Sequence, residues 1–339
     1  MAAQKIQRGH LIWGAVGGIA FAAIWSGSFV ATKVALSDAS PLFLASIRLS
    51  LAGIVLLILT FPSARALWQA SSGRVRAAIV ASGLLYQAFY LGATYCALVN
   101  LPTGLVTIIV ATLPLVSVPI AFAVLRERPG AIDILAAGSG LIGVVIVTLG
   151  RNPHALAAQS FILIPVLLTA VSVVALATGN ALVKSYIAPK TIMPVCAIQM
   201  VLSGFVLLIL AVGFEPDRHF ILAGSSIAAL AYLVLIGSIL GTFIWYRVLS
   251  IYTAKSASLF FLFTPIFGVA IGWTVLGETM TLTQLFGVAV VCVSILLRSG
   301  VRPRPRRMQW PAHDLARGGG NVSEFYPPEM KSIPIGSQR

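Results

Sequence analysis

Ten long apolar runs, separated by short polar breaks, make up most of the 339-residue chain and limit the folds open to it. Each run is long enough to cross ~30 Å of hydrocarbon as a helix that rises ~1.5 Å per residue. The strict alternation of apolar and polar residues that marks a membrane strand is absent from these runs. We therefore predict an all-α membrane protein with ten transmembrane helices, at 11–32, 41–61, 77–98, 103–125, 130–150, 160–182, 191–213, 226–248, 256–276 and 280–298.

The low content of charged residues supports a membrane protein and argues against other classes. Charged residues make up 9% of the chain and hydrophobic residues 58%, whereas soluble domains carry about 25% charged residues. The net charge of +14 does not indicate a nucleic-acid partner, because the basic residues lie between apolar runs and in the C-terminal tail. The three cysteines lie in apolar runs without metal-binding spacing, so we expect no metal and no cofactor.

The distribution of Lys and Arg predicts the orientation of the chain. Most of the 23 basic residues fall on one side of the membrane if the N-terminus is inside, as cytoplasmic loops require. We therefore predict a cell inner (cytoplasmic) membrane protein, monomer or homodimer, with both termini in the cytoplasm. We interpret residues 299–339 as a disordered basic cytoplasmic tail, which either rests on anionic headgroups or stays clear of the membrane.

Several scarce residue types recur at a constant offset of 151 residues. The pairs are Lys33 and Lys184, Tyr95 and Tyr246, Pro114 and Pro265, and Glu127 and Glu278. The first member of each pair lies in spans 1 to 5 and the second in spans 6 to 10. Because five is odd, a first repeat at 11–150 and a second at 151–298, after an N-terminal segment at 1–10, are predicted to have opposite orientations. Inverted repeats are typical of secondary transporters, which bind substrate between the halves near the bilayer midplane.

Four segments carry a resemblance to a known family. They are WSGSFVATKVAL at 25–36, PLFLASIRLSLAG at 41–53, TLPLVSVPIAFAVLRERPG at 112–130 and FTPIFGVAIGWTVLGETMT at 263–281. Together they resemble the EamA-type transporters of the drug/metabolite transporter superfamily. The resemblance implies ten helices in an inverted five-plus-five repeat and the export of small metabolites such as amino acids. The second half departs from the first by lacking an arginine equivalent to Arg48, with Gln199 or Val201 nearby instead.

Three basic residues are candidates for the transport pathway. Arg48 lies ~10 Å into its span, and a charge at the centre of a membrane helix costs about 2.5–3.5 kcal/mol on insertion scales, which indicates function by default. The alternative is a structural arginine that snorkels or bonds to backbone carbonyls. Lys33 and Lys184 end the first helix of each half and are either cations at the two mouths of the pathway or interfacial anchors.

Polar and aromatic residues within the spans supply further candidates for the pathway. They are Trp25, Ser26, Ser28, Tyr86, Gln87, Tyr90, Tyr95, Asn180, Gln199, Trp245 and Tyr246. For any one of them, hydrogen bonding between helices or interfacial anchoring is the alternative role. Pro114 and Pro265 are candidate hinges or static kinks at matching places in two helices. Helix capping is sufficient to explain Glu127 and Glu278.

The positions of the nine carboxylates favour one class of substrate and mechanism. All nine lie in predicted loops, span ends or the tail, so we expect transport without coupling through a buried carboxylate. Since the embedded charges are positive, they favour a ligand with a carboxylate, such as an amino acid, exported by alternating access. The alternatives are an exporter of drug-like or cationic compounds and a receptor or scaffold without transport. An enzyme is not expected, because the spans contain no catalytic motif such as HExxH.

Overall fold

The computed structural model describes residues 2–101, 106, 109–125, 130–149, 163–188, 191–264, 266–268, 270–271 and 282–299. Within these residues the chain forms ten helical elements, which confirms the predicted all-α class. They are α1 (Ala2–Ala35), α2 (Pro41–Ala70), α3 (Gly73–Asn100), α4 (Leu113–Leu125), α5 (Ala131–Leu149), α6 (Leu163–Tyr186), α7 (Ile192–Phe214), α8 (Gly224–Ile251), α9 (Ala254–Ser258, continued by a 3-10 turn at Leu259–Phe263) and α10 (Leu282–Ser299).

Six of these helices are long and apolar enough to cross a membrane, namely α1, α2, α3, α6, α7 and α8. The chain regions of α4, α5 and α9 contain shorter apolar helices. Large apolar side chains cover the outside of the bundle, and Ile58 and Leu59 are each 72% exposed. A surface so rich in apolar side chains suits lipid rather than water.

The helix α2 is longer than the span predicted from its apolar run. The run ends at residue 61, yet the helix continues through Pro62 to Ala70. Apolarity marks the part of a helix within lipid, whereas its end depends on backbone hydrogen bonds and capping. The next helix begins at once, because the Ser72 side chain accepts a hydrogen bond from the backbone nitrogen of Val75.

The two halves pack most closely where α2 crosses α7, the second helix of each half. A Cβ atom on Gly53 would lie 2.5 Å from the backbone nitrogen of Val201. A Cβ atom on Gly204 would lie 2.7 Å from the backbone nitrogen of Ser50. Gly204 follows Gly53 by 151 residues, and Val201 follows Ser50 by 151 residues. The two contacts are therefore reciprocal, as a two-fold axis requires. Glycine at both places allows the backbones to touch.

The third helix of each half contains a π-helical segment. In α3 this segment is Leu84–Tyr90, and in α8 it is Tyr232–Leu240. Such segments widen a helix locally and are frequent at functional sites. Both lie next to the polar residues described below, so the duplication extends to this irregular backbone.

Two loops on one side of the bundle hold the halves together. The Glu215 carboxylate accepts hydrogen bonds from the backbone nitrogens of Leu42 (2.7 Å) and Phe43 (3.0 Å) at the start of α2. A negative charge there meets unpaired N–H groups and the positive end of the helix dipole. The backbone nitrogen of Ser40 donates to the carbonyl oxygen of His219 (3.0 Å), so the α1–α2 loop is tied to the α7–α8 loop.

Several sequence-based predictions fall outside the described residues. They are the second proline, Pro265, the two candidate helix caps, Glu127 and Glu278, and the tail beyond Ser299. Pro114 is described and lies in the first turn of α4, after a turn at Thr112. Proline is tolerated in a first turn because its missing N–H would have no helical partner there.

Candidate functional site

A small, partly open cavity lies among α1, α2 and α3. Arg48 lies near the start of α2 and Tyr95 near the end of α3, so the cavity occupies the half of the bundle that holds the α1–α2 loop. Five of the predicted pathway residues line it. The full lining is Trp25, Ser28, Phe29, Thr32, Arg48, Tyr90, Leu91, Thr94 and Tyr95.

Arg48 is the charged group of this cavity and is 4% exposed. Its Nε donates to the Ser238 hydroxyl at 2.7 Å and its Nη1 donates to the Tyr95 hydroxyl at 2.6 Å. These partners are neutral side chains rather than the backbone carbonyls that a purely structural arginine was expected to use. The carboxylates whose side chains the structure describes, Asp38, Glu215 and Asp217, all lie in loops. The guanidinium therefore keeps its positive charge uncompensated by any of them.

A glycine on α8 makes room for the guanidinium. A Cβ atom on Gly237 would lie 3.1 Å from Arg48 Nη2 and 2.7 Å from the Ser28 hydroxyl oxygen. A side chain at this position would displace the Arg48 guanidinium and the Ser28 hydroxyl. Because Gly237 and Ser238 lie in the π-helical segment of α8, this irregular backbone determines where the arginine sits.

Three polar atoms among the cavity-lining residues have no hydrogen-bond partner. They are Trp25 Nε1, Tyr90 OH and Thr94 Oγ1. The indole and the threonine lie near the Tyr90 hydroxyl, but no pair among the three has hydrogen-bond geometry. A buried polar group without a partner costs about 1–3 kcal/mol.

Aromatic rings form one wall of the cavity. Trp25 stacks on Tyr90 with ring centroids 5.8 Å apart and on Tyr86 with centroids 6.5 Å apart. Phe29 meets Trp25 edge-on at 6.5 Å. This wall can cover the apolar part of a small ligand, while Arg48 faces a negative group.

In the second half, the corresponding polar residues bond to one another. The Tyr246 hydroxyl donates to Gln199 Oε1 at 2.8 Å, and Gln199 Nε2 donates to the Ser82 hydroxyl at 2.7 Å. Trp245 Nε1 donates to Asn180 Oδ1 at 2.9 Å. In the state described, these residues hydrogen-bond to one another and across helices.

The two repeat-related lysines make related contacts of different extent. Lys33 Nζ donates to the carbonyl oxygen of Leu98 at 2.8 Å, and Lys184 Nζ donates to that of Leu249 at 2.6 Å. In each bond the lysine and its acceptor are 65 residues apart in the sequence. Both members of the second bond therefore follow those of the first by 151 residues. Lys184 also donates to the carbonyl oxygen of Tyr252 and is 8% exposed, whereas Lys33 is exposed. The lysines thus join the first and third helices of each half.

Sequence reasoning missed several residues that build the site. Thr32 and Thr94 line the cavity, and Ser238 and Ser82 bond to Arg48 and Gln199. Small hydroxyl side chains are common in membrane helices, so their identity alone gave no signal. The glycines at the α2–α7 crossing were detectable, because they obey the same 151-residue offset. Among the described residues, no group of three or more His, Cys, Asp or Glu side chains is placed to hold a metal ion.

Comparison with known proteins identifies the family. The model of the EamA-like transporter family matches residues 12–149 and again residues 163–300. The chain is 23% identical over 290 residues to the uncharacterized transporter YoaV of Bacillus subtilis, an alignment that covers 84% of this chain and 96% of that protein. It is 24% identical over 291 residues to protein PecM of Dickeya dadantii, covering 84% of this chain and 91% of PecM.

Two further likenesses agree with this result. The uncharacterized inner membrane transporter YedA of Escherichia coli is 23% identical over 282 residues, covering 81% of this chain and 86% of YedA. A protein of known crystal structure, 16% identical, superposes with a TM-score of 0.70 over 84% of this chain and 96% of its own, which shows the same fold. Since the family match covers both halves, the chain belongs to the EamA-like transporter family.

Proposed function

We propose that this membrane transporter exports a small metabolite bearing a carboxylate, such as an amino acid, by alternating access in the cell inner membrane. The observation that carries the proposal is Arg48, a buried arginine at a cavity, held by two neutral hydroxyls. Arginine binds a carboxylate bidentately through its planar fork of donors, and a low dielectric strengthens that pair.

The aromatic wall favours a ligand that combines the carboxylate with an apolar body. Trp25, Phe29 and Tyr90 supply flat apolar surface beside the guanidinium. The distribution of basic residues along the sequence supports cytoplasmic termini, which would put the Arg48 cavity on the periplasmic side of the midplane. That orientation is part of the proposal.

A series of ligands with one common body tests the proposal. L-Phenylalanine, 3-phenylpropionate, phenylalanine amide and 2-phenylethylamine share a phenylethyl group and differ in charge. In proteoliposomes containing the full chain, we expect transport of the first two and weak or no transport of the amide and the amine. A quaternary ammonium dye serves as the cationic control. Preference for the amine and the dye would instead favour the alternative, an exporter of cationic compounds.

Energy coupling is a separate part of the proposal. The carboxylates whose side chains the structure describes, Asp38, Glu215 and Asp217, lie in loops. Their position supports exchange or facilitated diffusion without a proton carried by a buried acid. The internal pH of the same liposomes should therefore stay constant during uptake of L-phenylalanine, which carries no net charge. A proton flux in fixed ratio to the substrate would contradict this.

A further inference from the structure

Two polar pairs occupy equivalent places in the two halves. Arg48 bonds to Tyr95 in the first half, and Gln199 bonds to Tyr246 in the second. Each residue of the second pair follows its counterpart by 151 residues. Equal spacing and equal contacts show that Gln199 stands where an arginine stands in the first half.

Arg48 and Gln199 lie on opposite sides of the crossing between α2 and α7. The close contacts of Gly53 with Val201 and of Gly204 with Ser50 mean that the helices run in opposite directions there. The crossing point lies three to four residues after Arg48 on α2 and as far after Gln199 on α7. Each therefore lies ~5 Å from the axis at ~1.5 Å per residue, and a ligand moving between them travels ~10 Å.

The polar side chains around Arg48 form a first set and those around Gln199 form a second set. The two sets differ in whether their polar atoms are hydrogen-bonded. The first set adjoins the cavity and includes unpaired atoms on Trp25 and Thr94. In the second set, Trp245 is the counterpart of Thr94 and bonds to Asn180, while Gln199 is bonded through both atoms of its amide. In a transporter built from inverted repeats, rocking of one repeat against the other opens one side as the opposite side closes. The second set lies where the opposite opening must form.

We propose that Asn180, Gln199, Trp245 and Tyr246 form a second substrate subsite, which opens to the membrane side opposite the Arg48 cavity and binds the same carboxylate through neutral donors. The proposal rests on the proposed function, since it takes a carboxylate as the transported group. The two amides, the indole and the phenol offer N–H and O–H donors once their mutual hydrogen bonds open. The second subsite has no positive charge of its own, in contrast to Arg48.

The missing charge makes the two faces of the transporter unequal. A carboxylate on neutral donors lacks the bidentate attraction of a guanidinium. We expect the concentration of 3-phenylpropionate that half-saturates transport to be about 10-fold higher from the Gln199 face than from the Arg48 face, which corresponds to ~1.4 kcal/mol.

Cysteine labelling at a matched pair of positions tests the second subsite. Thr32 lines the Arg48 cavity, and Val183 is its counterpart 151 residues later; both are close to cysteine in size. Each of Thr32→Cys and Val183→Cys is made in a full chain whose native cysteines, Cys96, Cys196 and Cys292, are replaced by alanine and which still transports. A membrane-impermeant maleimide is applied to one face of the proteoliposomes and then to the other.

We expect Thr32→Cys to react from one face and Val183→Cys to react from the opposite face, with 3-phenylpropionate slowing both reactions. Val171→Cys is the control, because Val171 is 55% exposed on the outside of α6, where lipid covers it, and should react from neither face. Reaction of Val183→Cys from neither face, or from the same face as Thr32→Cys, would overturn the second subsite. Protection of Thr32→Cys but not Val183→Cys would also overturn it while leaving the proposed function intact. Protection of neither would overturn both proposals.

Discussion

The first and second halves of this transporter share a backbone plan but differ in how they treat a buried polar side chain. In the first half Arg48 keeps a positive charge beside a cavity, held by Ser238 and Tyr95. In the second half Gln199 is fully engaged by Tyr246 and Ser82 and is 0% exposed. The comparison teaches that duplication determines where a polar site lies, whereas a single unduplicated side chain determines its chemistry.

The largest expected effect concerns the feature that the halves share, the crossing of α2 and α7. Gly53→Ala and Gly204→Ala each place a Cβ atom within 2.7 Å of backbone atoms in the opposite helix, so the backbones must separate. We expect each variant to lose about 1–3 kcal/mol of stability, as overpacked cores do. Thermal unfolding of the purified protein measures the loss.

Gly213→Ala is the matched control for the crossing, because it lies in the same helix as Gly204 and has nothing within 4 Å of its Cβ position. This variant should unfold at the wild-type temperature or slightly above it, since alanine favours a helix. Equal behaviour of Gly204→Ala and Gly213→Ala would mean that the two halves do not meet at a tight crossing.

An intermediate effect should distinguish the two lysines. Lys184→Met removes a buried ammonium that bonds to the carbonyl oxygens of Leu249 and Tyr252, whereas Lys33→Met removes an exposed one that bonds to that of Leu98. We expect a loss of about 2 kcal/mol for the first, since hydrogen bonds to charged groups are worth about 1.5–3 kcal/mol. The second should cost under about 1 kcal/mol. Thermal midpoints in the reverse order would show that burial does not separate the pair.

The smallest expected effect separates the two repeat-related tyrosines. Tyr95→Phe frees one side of Arg48, so the KM for 3-phenylpropionate should rise about 5-fold, equivalent to ~1 kcal/mol. Tyr246→Phe instead leaves Gln199 Oε1 without its donor and should lower stability by about 1 kcal/mol. KM measured from the Arg48 face should be unchanged in Tyr246→Phe. An equal rise in that KM for both variants would show that the two pairs do not have separate roles.

The sequence was sufficient to predict the fold class and the duplication, because the apolar runs and the 151-residue offset between Lys33 and Lys184 can be read from the sequence alone. It also indicated Arg48, since a charge within an apolar run is rare. It could not give the partners of Arg48, because Ser238 follows it by 190 residues and lies in a π-helical segment without a sequence signal. The end of α2 at Ala70 was missed for a similar reason, since backbone bonding continues beyond the apolar run.

The KM of Arg48→Gln for 3-phenylpropionate, measured beside that for 2-phenylethylamine, tests most directly whether Arg48 recognises the substrate carboxylate. The substitution gives the first half the side chain of the second. We predict that the KM for the carboxylate rises about 10- to 100-fold, as expected for the loss of a charged hydrogen-bonding partner worth about 1.5–3 kcal/mol. The KM for the amine should stay the same or fall. An unchanged carboxylate KM in a variant that unfolds at the wild-type temperature would contradict the account.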